Sequence, residues 1–301
     1  MTTQDSWILM PFIDCPAMTQ QAVLDCLNQT AGFPRVLLID QGSGQAASDE
    51  MRAWVETMTR GQEQKPKVLL WTFNPPLPSL SAVWNRALDF VWELGGTEAL
   101  VVNNDVRLAP CTLASLLTVL RSTDALFASA VGVTEDQYNP EDLAAGTVWD
   151  DNRGDPDFSC FLLSRQGHEK YRFDESFRPA YCEDLDTHRR YMLGGDGHRI
   201  FSVNLPYLHY ASRTLNDAEP ATVERIRKQL GQSRAYYERK WGGPCNHETF
   251  YSPFNAVQLP EAGAWYGEGW PFRPTTPEMQ EWWRHFAPVE TPEPEEEEEF
   301  D

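Results

Sequence analysis

Short apolar runs alternate with amphipathic stretches through the first half of the chain, a pattern that predicts a sheet with crossover helices. The runs at 7–10, 35–39, 68–72, 100–102 and 126–131 are the expected strands. The clearest helix begins after Ser79, a good N-cap. It carries Leu80, Val83, Ala87, Val91 and Leu94 at spacings of three and four and stops at Gly95-Gly96, so that stripe is expected to face the sheet. Segments 19–29 and 48–59 read as two further helices. From 132 to 157 the chain is polar and aperiodic, which predicts a long surface loop of the kind that often serves function. Apolar alternation resumes at 158–163 and 200–203, and a helix over 222–241 lines up Val223, Ile226, Leu230, Tyr237 and Trp241 before Gly242-Gly243-Pro244.

The 301 residues are 41% hydrophobic, enough to bury one large core or two smaller ones. No run reaches the length of a membrane span, and residues 1–30 hold Asp5, Asp14 and Asp25 without a base, so neither a membrane segment nor a leader peptide is expected. The six cysteines form no C-x-x-C pair, which points away from zinc and disulfides and toward a reducing cytoplasm. Of the formal charge of −20, residues 290–301 supply eight acids and no base, leaving −12 elsewhere. That balance disfavours DNA or an anionic bilayer as a partner, although Arg178, Arg189, Arg190 and Arg199 could form a local basic groove. A small anion held through a metal is compatible. The tail itself is expected to be disordered, and the Trp- and Pro-rich segment before it, with Trp265, Trp270, Trp282 and Trp283, to wrap the core or meet a partner.

Four stretches could carry chemistry. Asp40 ends an apolar strand before Gly42, where ligands of open α/β sheets bind; it either accepts hydrogen bonds from a base or ribose or caps the turn. Asn103-Asn104-Asp105 also follows a strand. Residues 103 and 105 share a side of an extended chain and could offer oxygens to a hard divalent cation, or the triplet could be an Asx-turn. Glu183, Asp184 and Asp186 open an expected helix, where the macrodipole favours acids, and one of them could be a general base. His209 emerges after an apolar strand and is either a packed imidazole or a metal ligand. Trp71, Trp84 and Trp92 read as core.

Taken in order, these pieces resemble the GT-A glycosyltransferases, in particular the inverting glycosyltransferase family 2 with its rhamnosyltransferase-like members. Pro11 stands at the end of the first strand, and Ile39 to Ser43 match a V-D-x-G-S-like turn. Ala82 to Ala87, with Asn85 and Arg86, match an A-x-x-x-N-R-G/A-like helix signature. Asn103-Asn104-Asp105 occupies the D-x-D position. Phe173 to Phe177 and Glu183 to Asp186 match F-D-E-x-F plus E-D-x-D, and a late His and Lys240-Trp241-Gly242-Gly243 complete the set. The similarity spans 5–243. Asn103 departs from the usual Asp, and the first strand lacks the usual T-x-N after its Pro.

That resemblance implies an α/β GT-A fold, a mixed but mainly parallel sheet flanked by helices, with a catalytic domain at 1–215, a C-terminal extension at 216–289 packed on it and an acidic tail at 290–301. It implies a nucleotide-diphosphate sugar donor contacted by Pro11, Asp40, Asn85, Arg86 and Asn104, and Mn or Mg held by Asp105, His209 and Asn103. Asp184 would be the base that activates an acceptor hydroxyl, on a glycan or another acceptor, for a single inverting displacement. Glu183 and Asp186 would orient that base or bind acceptor hydroxyls; from its position alone the 132–157 loop, with Trp149, is a candidate lid or acceptor wall. Two alternatives stay open: a degenerate GT-A domain that binds nucleotide, glycan or protein, and a viral-type transferase acting on modified DNA bases.

Overall fold

The computed structural model describes residues 5–31, 33–61, 67–138, 156–210, 220–255, 257–258 and 272–273. In chain order its main elements are β1 (Asp5–Phe12), α1 (Pro16–Leu27), β2 (Phe33–Asp40), α2 (Gln45–Thr59), β3 (Val68–Thr72), α3 (Leu80–Glu93), β4 (Glu98–Val102), β5 (Val106–Arg107), α4 (Thr112–Ser122), β6 (Phe127–Val133), β7 (Cys160–Ser164), α5 (Arg165–Lys170), α6 (Glu183–Leu193), β8 (Ile200–His209) and α7 (Pro220–Trp241). Among the described residues no helix is long and apolar enough to cross a membrane. Trp149, Trp265, Trp270, Trp282, Trp283, most of the predicted loop and the acidic tail lie outside the described residues.

Eight strands form one sheet in the order β3-β2-β1-β4-β7-β6-β8-β5. The chain moves outward from β1 through β2 to β3, then returns by α3 to place β4 on the other side of β1. The strand order therefore reverses between β1 and β4, where an open α/β sheet leaves a crevice at its carboxyl edge. β7 is antiparallel to both β4 and β6, so β6 and β8 again run with β4. This geometry brings the ends of β1, β2, β4, β6 and β8, together with the start of β7, to one edge.

Alternation within the strands explains why their apolar runs are nearly continuous. Ile8, Met10, Val36 and Leu38 face one core with α1, α2 and α4, whereas Trp7, Leu9, Leu37 and Ile39 face a second with α3 and α7. The second core is aromatic: Phe127 stacks on Phe161 at 5.1 Å, and Trp84 lies 4.8 Å from Phe173. Such pairs contribute about 0.5–1.5 kcal/mol each beyond the area they bury.

The helix after Ser79 forms as predicted. Ser79 Oγ accepts a hydrogen bond from Ala82 N at 3.1 Å. At the other end Gly95 N donates to Trp92 O and Gly96 N to Val91 O, a Schellman closure in which Gly95 takes φ +84°. Leu94 departs from the expected inward stripe. It is the C-cap and 57% exposed, because the helix has ended before its side chain can turn to the sheet. α4 is not among the predicted helices, although Leu113, Leu116, Leu117 and Leu120 repeat at helical intervals and are buried. β5 escaped too, being two residues long. The strand expected at 158–163 begins at Cys160, because 156–159 are spent on a turn in which Asp157 accepts from Ser159 N. β6 runs on to Val133, one residue into the predicted loop.

Buried charge ties α6 to α7. Lys240 Nζ donates to Asp174 Oδ2 and Asp186 Oδ1, both at 2.7 Å. Arg190 Nε donates to Asp186 Oδ2 at 2.8 Å, and Trp241 Nε1 to Asp186 Oδ1 at 2.9 Å. Tyr236 Oη and Ser176 N complete the shell of Asp174. Two acids face two bases, which is how such groups tolerate removal from water.

Candidate active site

The carboxyl edge gathers acids from four connections. After β1, Asp14 and Cys15 both adopt left-handed backbone, φ 52° and 50°. Asp14 N donates to Ser43 Oγ at 2.8 Å, and Asp14 Oδ1 accepts from Gly44 N at 2.7 Å. The first two loops of the edge are thereby clamped together. Asp40 is 2% exposed, and its Oδ1 accepts from Gly42 N and Ser43 N. Through that oxygen it caps the turn and shapes the same loop. Pro11 is buried in β1 beside Ile39.

After β4 the triplet lies in a bend, not in extended strand as expected, and its side chains part. Asn104 turns back to α1, its Nδ2 donating to Thr19 Oγ1 at 2.9 Å. Asp105 turns to the end of β8, where its Oδ1 lies 3.5 Å from His209 Nε2. Asn103 is half-buried, and its N–H donates to Ser159 O at the start of β7. Pairing of Val106 with His209 and the bond from Tyr210 N to Asp105 O set this register. Burial pulls the His209 imidazole down, but the hydrogen bond and charge of Asp105, with Asp157 behind it, more than reverse this and leave its pKa above the ordinary value.

Asp157 was not singled out by sequence, being one acid in a polar stretch. Its two oxygens accept from Gly132 N at 3.0 Å and Ser159 N at 2.8 Å, so it staples β6 to β7. A Cβ on Gly132 would lie 2.7 Å from Asp157 Oδ2, which accounts for glycine at that point.

The E-D-x-D acids go in three directions. Asp186 is fully buried in the Lys240 network, its oxygens held by Arg190, Trp241 and Lys240, so of the two roles expected of it, orienting the base or binding an acceptor hydroxyl, the burial leaves no room for the second. Glu183 is 5% exposed, and its Oε2 has no hydrogen-bond partner. Burial, with the neighbouring charges of Asp184 and Asp186, pushes its carboxyl up to about 8. Asp184 is the half-exposed member, and its Oδ1 accepts from Leu185 N at 2.8 Å. Just before them Tyr181 and Cys182 have φ 79° and 70°. Burial first, then the charges of Glu183 and Asp105, push the Tyr181 phenol up, so this tyrosine lies within electrostatic reach of both the helix opening and the Asp105–His209 pair. Nothing in the sequence marks Tyr181 out.

Asn85 and Arg86 stand apart from the Asp105–His209 pair. Asn85 is 1% exposed. Its Nδ2 donates to Phe173 O and Glu175 Oε1, and its Oδ1 accepts from Phe173 N and faces His168 Nε2 at 3.0 Å. Trp92 Nε1 donates to the other ring nitrogen, so His168 is a neutral Nε2–H tautomer; burial lowers its pKa to about 3. With every polar atom of Asn85 engaged inside the protein, the expected donor contact is replaced by a structural one. Arg86 is exposed on α3, beside Asp89.

Asp105 and His209 have the chemistry of a divalent-cation site, a hard carboxylate oxygen beside an imidazole nitrogen. Among the described residues no group of three or more His, Cys, Asp or Glu is placed to hold a metal. The pair therefore suits a cation whose remaining positions are filled by water and by an anionic ligand.

Solved structures share this architecture. A mannosyltransferase from Pyrobaculum calidifontis, in complex with GDP-Man and Mn2+, aligns with TM-score 0.55 and 17% identity over 79% of this chain and 65% of its own. Glucosyl-3-phosphoglycerate synthase from Mycobacterium tuberculosis, with Mn2+, UDP and phosphoglyceric acid, aligns with TM-score 0.53 and 14% identity over 81% of each chain. The same synthase with Mg2+ and UDP gives TM-score 0.53 at 13% identity over 81% of this chain and 82% of that one. No family model and no curated protein matches the sequence. The chain has the GT-A fold, as its mixed eight-stranded sheet and these likenesses establish.

Two outcomes follow from this geometry. Asn85→Ala takes the side-chain partner from the main chain of 173 and from Nε2 of His168 and is expected to cost about 2–4 kcal/mol in denaturant unfolding. Nucleotide affinity per folded molecule stays unchanged. Glu183 binds its proton more tightly folded than unfolded, so stability should fall as pH rises from about 4.5 to about 8. Melting curves of Glu183→Gln should lack that component and show a higher Tm than the parent at pH 8.

Proposed function

We propose that the chain is an inverting glycosyltransferase of the family 2, rhamnosyltransferase-like kind, moving a sugar from a nucleotide-diphosphate donor to an acceptor hydroxyl. The observation that carries the reading is the Asp105–His209 pair at the carboxyl edge, with half-exposed Asp184 opening α6 beyond Tyr181. The solved mannosyltransferase and synthase, which hold nucleotide and Mn2+ or Mg2+ on the same fold, support it.

In this reading the donor lies across the switch point between β1 and β4, with its base toward the Asp14–Asp40 loops and its diphosphate toward Asp105. A divalent cation, Mn2+ or Mg2+, held by Asp105 and His209 would supply positive charge against the departing diphosphate. Asp184 accepts the proton of the acceptor hydroxyl while that oxygen attacks the anomeric carbon. Attack comes from the face opposite the diphosphate, the bond to the diphosphate oxygen breaks, and configuration inverts in one displacement. Asp184 suits proton acceptance because it keeps contact with solvent, whereas Glu183 beside it is buried and holds its own proton at neutral pH.

A degenerate, binding-only domain is the second reading. It is favoured by Asn103 in place of an acid and by the two-residue ligand set among the described residues. A thermal-shift screen of sugar nucleotides with and without Mn2+ identifies the donor, since a ligand that binds only the native state raises Tm. Turnover of that donor then separates the two readings: Asp184→Asn should lower it by about 10²-fold or more with donor binding retained. Asp105→Ala should weaken Mn2+-dependent donor binding as well as rate. Binding without any turnover in the parent protein favours the binding module, and full turnover in excess EDTA removes the metal from the scheme.

A further inference from the structure

Three of the side chains in the late motifs never reach the Asp105–His209 pair. Asp174, Asp186 and Lys240 are 3%, 0% and 0% exposed, and they bind one another. What they surround is the stretch 175–182 that leads into Glu183 and Asp184. That stretch is held again higher on α7, where Ser233, 1% exposed, donates its hydroxyl to Arg178 O at 3.2 Å or to Ala180 O at 3.0 Å. From the other side, Leu80 N at the start of α3 donates to Pro179 O at 2.8 Å. The stretch ends in two successive non-glycine residues with left-handed backbone, Tyr181 and Cys182. Each such residue costs on the order of 1 kcal/mol and persists only where its surroundings impose it. Cys182 gives α6 no side-chain cap, so the first turn of that helix is fixed by its neighbours instead.

We propose that α7 is a splint for the general base: Ser233 and Lys240 are positioning residues that fix the 178–182 backbone and the first turn of α6, and thereby the direction of the Asp184 carboxylate. The inference rests on Asp184 being the base proposed above. It assigns α7 a role in rate rather than in donor affinity. Charge balance explains why the connection is ionic. Lys240 contacts the residue group before the strained stretch through Asp174 and the group after it through Asp186, and one rigid ammonium fixes the separation of both ends.

The test uses the full chain and three variants: Ser233→Ala, its conservative counterpart Ser233→Thr, and the charge-balanced pair Lys240→Met with Asp174→Asn. UDP-glucose and GDP-mannose with Mn2+ serve as donor probes, read as nucleoside diphosphate released. Ser233→Ala and the charge-balanced pair should lose about 10- to 100-fold in kcat, the scale of a misplacement near 1 Å. KM for the donor, and Kd for UDP or GDP with Mn2+, should change by less than about twofold. Ser233→Thr should restore kcat. Hydrogen exchange gives a readout without turnover: amides of 181–184 should exchange at least about tenfold faster in Ser233→Ala, those of α1 and β2 should not, and Ser233→Thr should reverse the change. Exchange and kcat equal to the parent in Ser233→Ala, or kcat and KM moving together, overturn the splint. Asp184→Asn run alongside separates the two failures: if it keeps turnover, the base assignment falls and the splint with it, whereas an inactive Asp184→Asn beside fully active α7 variants sinks the splint alone.

Discussion

One ammonium group holds the second half of the fold in place. Lys240 sits without solvent contact between Asp174 and Asp186. An unpaired charge buried there would be worth several kcal/mol of instability. Burial raises the Asp174 carboxyl, but Lys240, the Ser176 amide and the Tyr236 hydroxyl overcome it and hold it well below the usual range. The aromatic core beneath, with Phe177, Tyr236 and Trp241, packs around this charged centre and does not replace it. Through it the loop after α5, the opening of α6 and the end of α7 become one body.

The first half of the molecule follows a different logic. Its strands are buried on both faces, so hydrophobic runs decide where they lie, and loops at their carboxyl ends carry the polar groups. Asp14, Ser43 and Gly44 show how little side-chain chemistry is needed there: two hydrogen bonds bind the first loop to the second. The half built on apolar periodicity thus sets the carboxyl edge of the sheet, and the half built on buried charge fixes the opening of α6.

This division explains what could be read in advance. The strands at 68–72 and 35–39 and the helix from Ser79 to Gly95 announce themselves through period and caps, and the order of motifs carried the fold. Asp105 and His209 are 104 positions apart in sequence, and they meet because β8 runs parallel to β6 and β5 returns against it, which no local pattern encodes. Asp186 and Asn85 were legible as special but not as internal: an acid or amide in a motif looks the same whether it faces a ligand or a buried lysine. Tyr181 and Asp157 were invisible, because their importance lies in where the backbone carries them.

The position of Lys240 in the chain has a consequence for biosynthesis. Asp174 and Asp186 leave the ribosome more than fifty residues before the cation that neutralises them. During that interval Arg190 already serves Asp186, but Asp174 has no cation beside it, so burying it ahead of α7 would strand an unpaired charge. The β1–β4 face has no such dependence and can consolidate first. The side of the molecule around Asp174 is therefore completed late, by the arrival of α7, and a chain interrupted before residue 240 would leave that acid without its ammonium partner.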